Sequence, residues 1–114
     1  MTLQELSSIL RYDVNPVLII LNNSGYTIER VIEGPNRSYN DISGNWQWTQ
    51  MLRCFGDLSG ERSQSYKISS RKQLDLLMNS EQFHSLEKFQ LIELVLPKFD
   101  IPKRLREMLD SAPK

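Results

Sequence analysis

The residues of this chain best suited to chemistry fall in one short stretch, Asn22-Asn23-Ser24-Gly25, with a carboxylate, Glu29, close behind. Two amide oxygens, a hydroxyl and a glycine that permits close backbone approach suit a hard cation such as Mg²⁺ bridged to phosphates, since such ions take oxygen ligands. The same four residues also end strands through Asx turns, and a carboxylate in the first turn of a helix is favoured by the helix dipole without any catalytic duty. On spacing alone the plainer reading prevails, a strand terminator followed by a dipole-favoured carboxylate. Elsewhere there is a single histidine, His84, and a single cysteine, Cys54, so the chain has no internal disulfide and no Cys/His cluster for zinc. His84 reads as a surface or packing residue, and Cys54, beside an apolar helical stripe, as a buried inert thiol.

The elements that must position the turn follow from hydrophobic spacing. Leu3, Leu6, Ile9 and Leu10 predict a helix over Thr2–Tyr12, with Thr2 and Glu5 as a capping box. After Asn15-Pro16, the run Val17–Leu21 predicts a strand covered on both faces, and the Asn22–Gly25 turn ends it. Tyr26–Glu33 is again helical, stopped by Gly34-Pro35, and 34–44 is an irregular polar loop. Trp48, Met51, Leu52 and Phe55 place one stripe on a helix over Trp46–Phe55; these aromatics read as core or subunit contact. Tyr66 and Ile68 mark a weak strand, Ser70 caps a helix carrying Leu74, Leu77 and Met78, and Phe89–Leu96 is a second strong apolar run. Leu105, Met108, Leu109 and Ala112 form the stripe of a last helix after Pro102, while Lys98, Lys103, Arg104 and Arg106 read as a solvated face.

Strands separated by helices imply parallel pairing through right-handed crossovers. The expected fold is therefore α/β, a partial doubly wound parallel sheet of about three strands with flanking helices. In such sheets ligands bind beyond the carboxyl ends of the strands, the position that the Asn22–Gly25 turn occupies. Fourteen Lys and Arg balance fourteen Asp and Glu, and this zero net charge favours neither nucleic acid nor an anionic membrane as partner. No apolar run approaches a bilayer span and residues 1–10 do not read as a signal peptide, so a soluble, cytoplasmic protein is expected.

A longer string, Leu21-Asn22-Asn23-Ser24-Gly25-Tyr26-Thr27-Ile28-Glu29-Arg30 with Gly34-Pro35 and Tyr39-Asn40, resembles the thiamine diphosphate-dependent 2-oxo acid decarboxylases, pyruvate and indolepyruvate decarboxylase in particular. The resemblance continues through Thr2–Ser7, Trp46, Phe55-Gly56, Ile92-Glu93-Leu94, Leu96-Pro97 and Phe99-Asp100, and so covers essentially the whole chain. It implies that residues 1–114 are the C-terminal portion of the family's diphosphate-binding domain, with the N-terminal pyrimidine-binding and middle domains absent.

By that resemblance, Asn23 supplies a side-chain oxygen and Gly25 a backbone carbonyl to Mg²⁺, while Tyr26, Thr27 and Ile28 belong to the thiamine diphosphate site. Glu29 is the implied catalytic glutamate, facing the substrate carboxylate of a 2-oxo acid and handling a proton after carbon dioxide leaves. The family's Gly-Asp-Gly element would fall ahead of Met1, so an incomplete cation site and no activity in isolation are expected. Ser24 and Glu33 depart from the family pattern, which often has a charged residue and a histidine there. Partners implied are upstream domains or a full-length homologous subunit. The alternatives are a non-catalytic truncated subunit that associates with or modulates intact decarboxylase, and an unrelated phosphate-binding α/β module.

Overall fold

A computed structural model describes residues 2–42, 44 and 46–111 of the 114, the side chain at 109 excepted. In chain order the elements are α1 (Glu5–Arg11), β1 (Val17–Asn22), α2 (Thr27–Glu33), a 3-10 turn at Ser38–Asn40, and a second at Trp48–Gln50 that leads into α3 (Met51–Cys54). There follow β2 (Ser63–Ile68), α4 (Arg71–Met78), α5 (Glu81–His84), β3 (Phe89–Val95) and α6 (Lys103–Ser111). Two compact units result, one formed by Met1–Leu21 with Gln47–Val95 and the other by Asn22–Trp46 with Leu96–Lys114.

The first unit is a three-stranded parallel sheet in the order β1-β3-β2, with helices packed on it, as the α/β reading expects. Strands β2 and β3 run in register from Ser63 opposite Phe89 to Ile68 opposite Leu94. Because side chains alternate along a strand, β3 feeds two cores. Phe89 and Leu91 pack with Leu6 and Leu10 of α1 and Leu52 of α3, while Ile92 packs with Ile68 and with Leu77 of α4. Both faces of β3 are thus covered, and even its two polar residues, Gln90 and Glu93, are buried.

The apolar β1 is different: Leu18 and Ile20 pack on the first core, but Val17, Ile19 and Leu21 are exposed. The expectation of cover on both faces is corrected here, because alternate side chains leave on opposite faces and only the set with Leu18 and Ile20 meets the core. At α1 the capping box is absent. Gln4, in helical conformation and without a side-chain cap, precedes the helix, and the Glu5 amide bonds to the Thr2 carbonyl at 3.1 Å. Ser70 does cap α4, its hydroxyl accepting from the Gln73 amide at 3.3 Å. Trp48, Met51 and Phe55 are half-buried around a buried Leu52, which bears out the helical stripe, but Trp46 is exposed. Cys54 is exposed as well, on the side of its short helix away from Leu52, so the buried-thiol reading fails. His84 lies at the surface with a ring nitrogen 2.7 Å from the Met78 carbonyl, as expected. On α6, Leu105 is half-buried and Met108 exposed; the side chain of Leu109, and Ala112, lie outside the described residues. No helix among the described residues is long and apolar enough to cross a membrane.

One buried carboxylate organises the loop entering β2. Asp57 accepts from the Ser63 hydroxyl at 2.5 Å and from the Gly60 amide at 3.1 Å, with the Arg62 amide at 3.4 Å. Burial pushes its carboxyl upward, but the Ser63 hydroxyl and the Arg62, Ser63 and Gly60 amides together outweigh that and hold it below the usual range. A lowered folded value means that the stabilisation is complete above the ordinary carboxylate range and is lost as pH falls through the lowered value. Asp57→Ala is expected to cost about 2 kcal/mol at pH 7, the scale of hydrogen bonds to a charged group. Urea titrations from pH 7 down to pH 2 should show the difference from wild type shrinking over the acid limb; an unchanged gap would contradict the assignment.

Candidate functional site

The second unit begins where β1 ends. The Asn22 side-chain oxygen accepts from the Ser24 amide at 3.1 Å and that of Asn23 from the Gly25 amide at 3.4 Å, two Asx turns in succession. Ser24 takes φ +63° and Gly25 φ +143°, so the chain turns sharply into α2. Gly25 then lies opposite Asp41 in an antiparallel bridge, flanked by Tyr26 N to Asn40 O at 2.8 Å and Ile42 N to Ser24 O at 3.1 Å. A Cβ on Gly25 would run into the Asn40 carbonyl, the Arg30 guanidinium and the Asp41 Cα. The close approach that the glycine permits is therefore made by this chain's own 38–41 segment.

Arg30 is the hub of the unit, with none of its side chain exposed. Its Nη2 donates to Asp41 Oδ1 and to the Ser24 carbonyl, both at 2.6 Å, and its Nε to Asp41 Oδ1 at 2.9 Å. Its Nη1 donates to the carbonyls of Asn23 and Lys98, both at 3.2 Å. Lys98 Nζ completes the cluster 2.8 Å from Asp41, and these two cations hold the Asp41 carboxyl below its usual range, Lys98 foremost. Lys98 is thus half-buried and paired, in contrast to the solvated face expected of it, whereas Lys103 on α6 is exposed beside Glu107.

Of the residues singled out from sequence, Asn23, Gly25 and Thr27 come together. Asn23 is half-buried, its Nδ2 donating to Thr27 Oγ1 at 2.8 Å, and the buried Thr27 hydroxyl donates to the Lys98 carbonyl at 2.8 Å. Tyr26, Ile28 and Glu29 all face outward at the start of α2 and are exposed. Glu33 accepts a hydrogen bond from the Tyr39 hydroxyl, which raises the phenol above its usual range. Sequence reasoning missed Arg30, Asn40 and Asp41. The available signal was Arg30 at i+3 from Thr27, which puts both on the inward side of α2.

As cation ligands, Asn23 Oδ1 and the Gly25 carbonyl are neutral, hard oxygens of the right kind for Mg²⁺. The Gly25 carbonyl accepts no hydrogen bond among the described residues. The carboxylate nearest in sequence to this bridge, Asp41, is held by Arg30 and Lys98. Among the described residues no group of three or more His, Cys, Asp and Glu could hold a metal. Among the described residues the site therefore offers part of a Mg²⁺ shell.

No family model matches the chain. Relatives do: it is 42% identical over 116 residues to the transaminated amino acid decarboxylase of Saccharomyces cerevisiae, covering 98% of this chain and 18% of that protein. It is 37% identical over 107 residues to pyruvate decarboxylase isozyme 1 of the same yeast, covering 94% of this chain and 18% of the relative. With pyruvate decarboxylase of Aspergillus fumigatus the identity is 35% over 112 residues, covering 98% and 19%. Over nearly the whole chain its homologues are thus pyruvate decarboxylases and a transaminated amino acid decarboxylase, and it matches a C-terminal fragment of such an enzyme. It spans about 18% of the length of the first two of these relatives.

Proposed function

We propose that this chain acts as the C-terminal part of the diphosphate-binding domain of a pyruvate decarboxylase-like enzyme, with the pyrimidine-binding and middle domains contributed from outside these 114 residues. In that setting Asn23 Oδ1 and the Gly25 carbonyl ligate Mg²⁺, and Tyr26, Thr27 and Ile28 edge the thiamine diphosphate site. When bound, thiamine diphosphate supplies the nucleophilic carbon and electron sink for non-oxidative decarboxylation of a 2-oxo acid to an aldehyde. Glu29 holds a proton on its carboxyl and delivers it after decarboxylation, and Ile28 beside it keeps water from the reacting centre. Glu29 is exposed here, and in that setting the upstream domains or a homologous subunit cover it. An anionic ligand is assigned to the same source, and the chain alone is read as inactive.

The observation that carries this reading is the turn itself: one unit joins Asn23, Gly25 and the helix that starts with Thr27 and carries Glu29, in a chain whose relatives are decarboxylases. The test combines the chain with an upstream polypeptide of a relative, Mg²⁺, thiamine diphosphate and pyruvate, and follows acetaldehyde. Turnover is expected only in the combined sample, and Glu29→Gln should lower it by roughly 10²- to 10⁴-fold, the range of a positioned proton donor. Turnover by the chain alone, or a glutamine variant as fast as wild type, would refute it. The open side of β1 favours a second reading, a non-catalytic subunit that binds intact decarboxylase; co-elution with a full-length relative without aldehyde formation is its signature.

A further inference from the structure

The two ends of an asparagine amide have nearly the same shape and opposite chemistry, and only Oδ1 serves a cation. Which end of Asn23 is presented is decided three residues away in space, by a carbonyl that cannot donate. The Lys98 carbonyl takes the Thr27 hydroxyl proton at 2.8 Å and a second hydrogen bond from Arg30 Nη1 at 3.2 Å. A hydroxyl has one proton, so toward Asn23 the Thr27 Oγ1 can only accept. The amide atom 2.8 Å from it must then be Nδ2, which turns Oδ1 the other way. Arg30 Nη1, 3.4 Å from the same Oγ1, adds a further donor on that oxygen and opposes reversal. Among the described residues Oδ1 meets only the Gly25 amide, at a long 3.4 Å, and an amide oxygen has two lone pairs to offer. The turn backbone is fixed by the same guanidinium, which binds the Asn23 and Ser24 carbonyls.

We infer that Thr27, held by the Lys98 carbonyl and Arg30, is a positioning residue that locks the Asn23 amide with Oδ1 presented to a hard divalent cation. This rests on the cation reading above but makes a separate statement about the apo chain. Thr27 then acts on the metal through Asn23.

The experiment uses the full chain in ¹H–¹⁵N spectra with two readouts, exchange of the Asn23 side-chain amide protons with solvent and local broadening by Mn²⁺. In wild type one Asn23 Nδ2 proton is expected to exchange slowly, and Mn²⁺ to broaden the Asn23 and Gly25 signals first. Thr27→Val, nearly equal in volume, should abolish the slow exchange and raise the Mn²⁺ concentration for half-broadening by about 10- to 100-fold, as for loss of a residue that orients a ligand. Thr27→Ser should restore both. Rapid exchange in wild type, or a valine variant that keeps the slow proton, overturns the lock whatever Mn²⁺ does. A serine variant that behaves like valine overturns it too, since only the methyl packing would then matter. A protected amide with no local Mn²⁺ response overturns the cation reading instead, and leaves the lock without the ligand assigned to it. Should the valine variant unfold, wild-type exchange and the serine variant still decide the question.

Discussion

Replacing Arg30 by methionine is expected to destabilise the second unit by about 3 kcal/mol. Methionine fills most of the space but brings no donor. The carbonyls of Asn23, Ser24 and Lys98 lose the guanidinium that binds them, and each buried acceptor left without a donor costs about 1–3 kcal/mol, less where water can reach it. Amide exchange of Tyr26 and Ile42, which donate across the bridge to Asn40 and Ser24, reads the loss locally. Both should exchange faster in the variant while the amides of β3 stay protected. Equal protection at Tyr26 and Ile42 in both proteins would mean that Arg30 is incidental to the turn. Combined with Asp41→Ala, the effect should be clearly less than additive, because the two residues share one network.

The second large effect is expected at Gly25. At φ +143° any side chain is strained, and the left-handed side of conformational space costs an ordinary residue roughly 1–2 kcal/mol. Overpacking adds about 1–3 kcal/mol, since the new methyl meets the backbone of Asn40 and Asp41 as well as the Arg30 guanidinium. Gly25→Ala should therefore cost about 3 kcal/mol and shift the amide resonances of 38–42. Gly34 is the internal control: its φ is +115°, yet a Cβ there meets nothing within 4 Å, so Gly34→Ala should carry the strain alone. If the two alanines prove equally costly, the close approach of 38–41 contributes nothing.

What sequence reasoning recovered, and what it did not, divides along the range of the interactions. Ser70 capping Gln73 and the stripe of Met51, Leu52 and Phe55 depend on residues three or four apart, and both stand in the structure. Thr2 with Glu5 has the same local pattern but fails, because a turn at 2–4 leads into α1 and puts Gln4 at the cap. The apolar run of β1 gives no sign that only Leu18 and Ile20 meet the core, since which face is covered depends on residues far apart in sequence. In the site, Asn23, Gly25 and Thr27 were legible as one turn. The cluster that holds them was not, since Asp41 is 11 residues from Arg30 and 57 from Lys98. Nothing in the spacing of an Arg, an Asp and a Lys marks them as partners.

The bare flank of β1 also governs how this polypeptide behaves at high concentration. Val17-Leu18-Ile19-Ile20-Leu21 carries no charge, proline or glycine, and Leu21 is 64% exposed. A terminal strand of that composition can template further copies of itself, chain upon chain, into insoluble fibrils. Ile19→Lys, at an outward position, should suppress light scattering and thioflavin fluorescence in a concentrated sample while leaving the unfolding midpoint nearly unchanged. The solubility of the isolated polypeptide would then depend on a single strand.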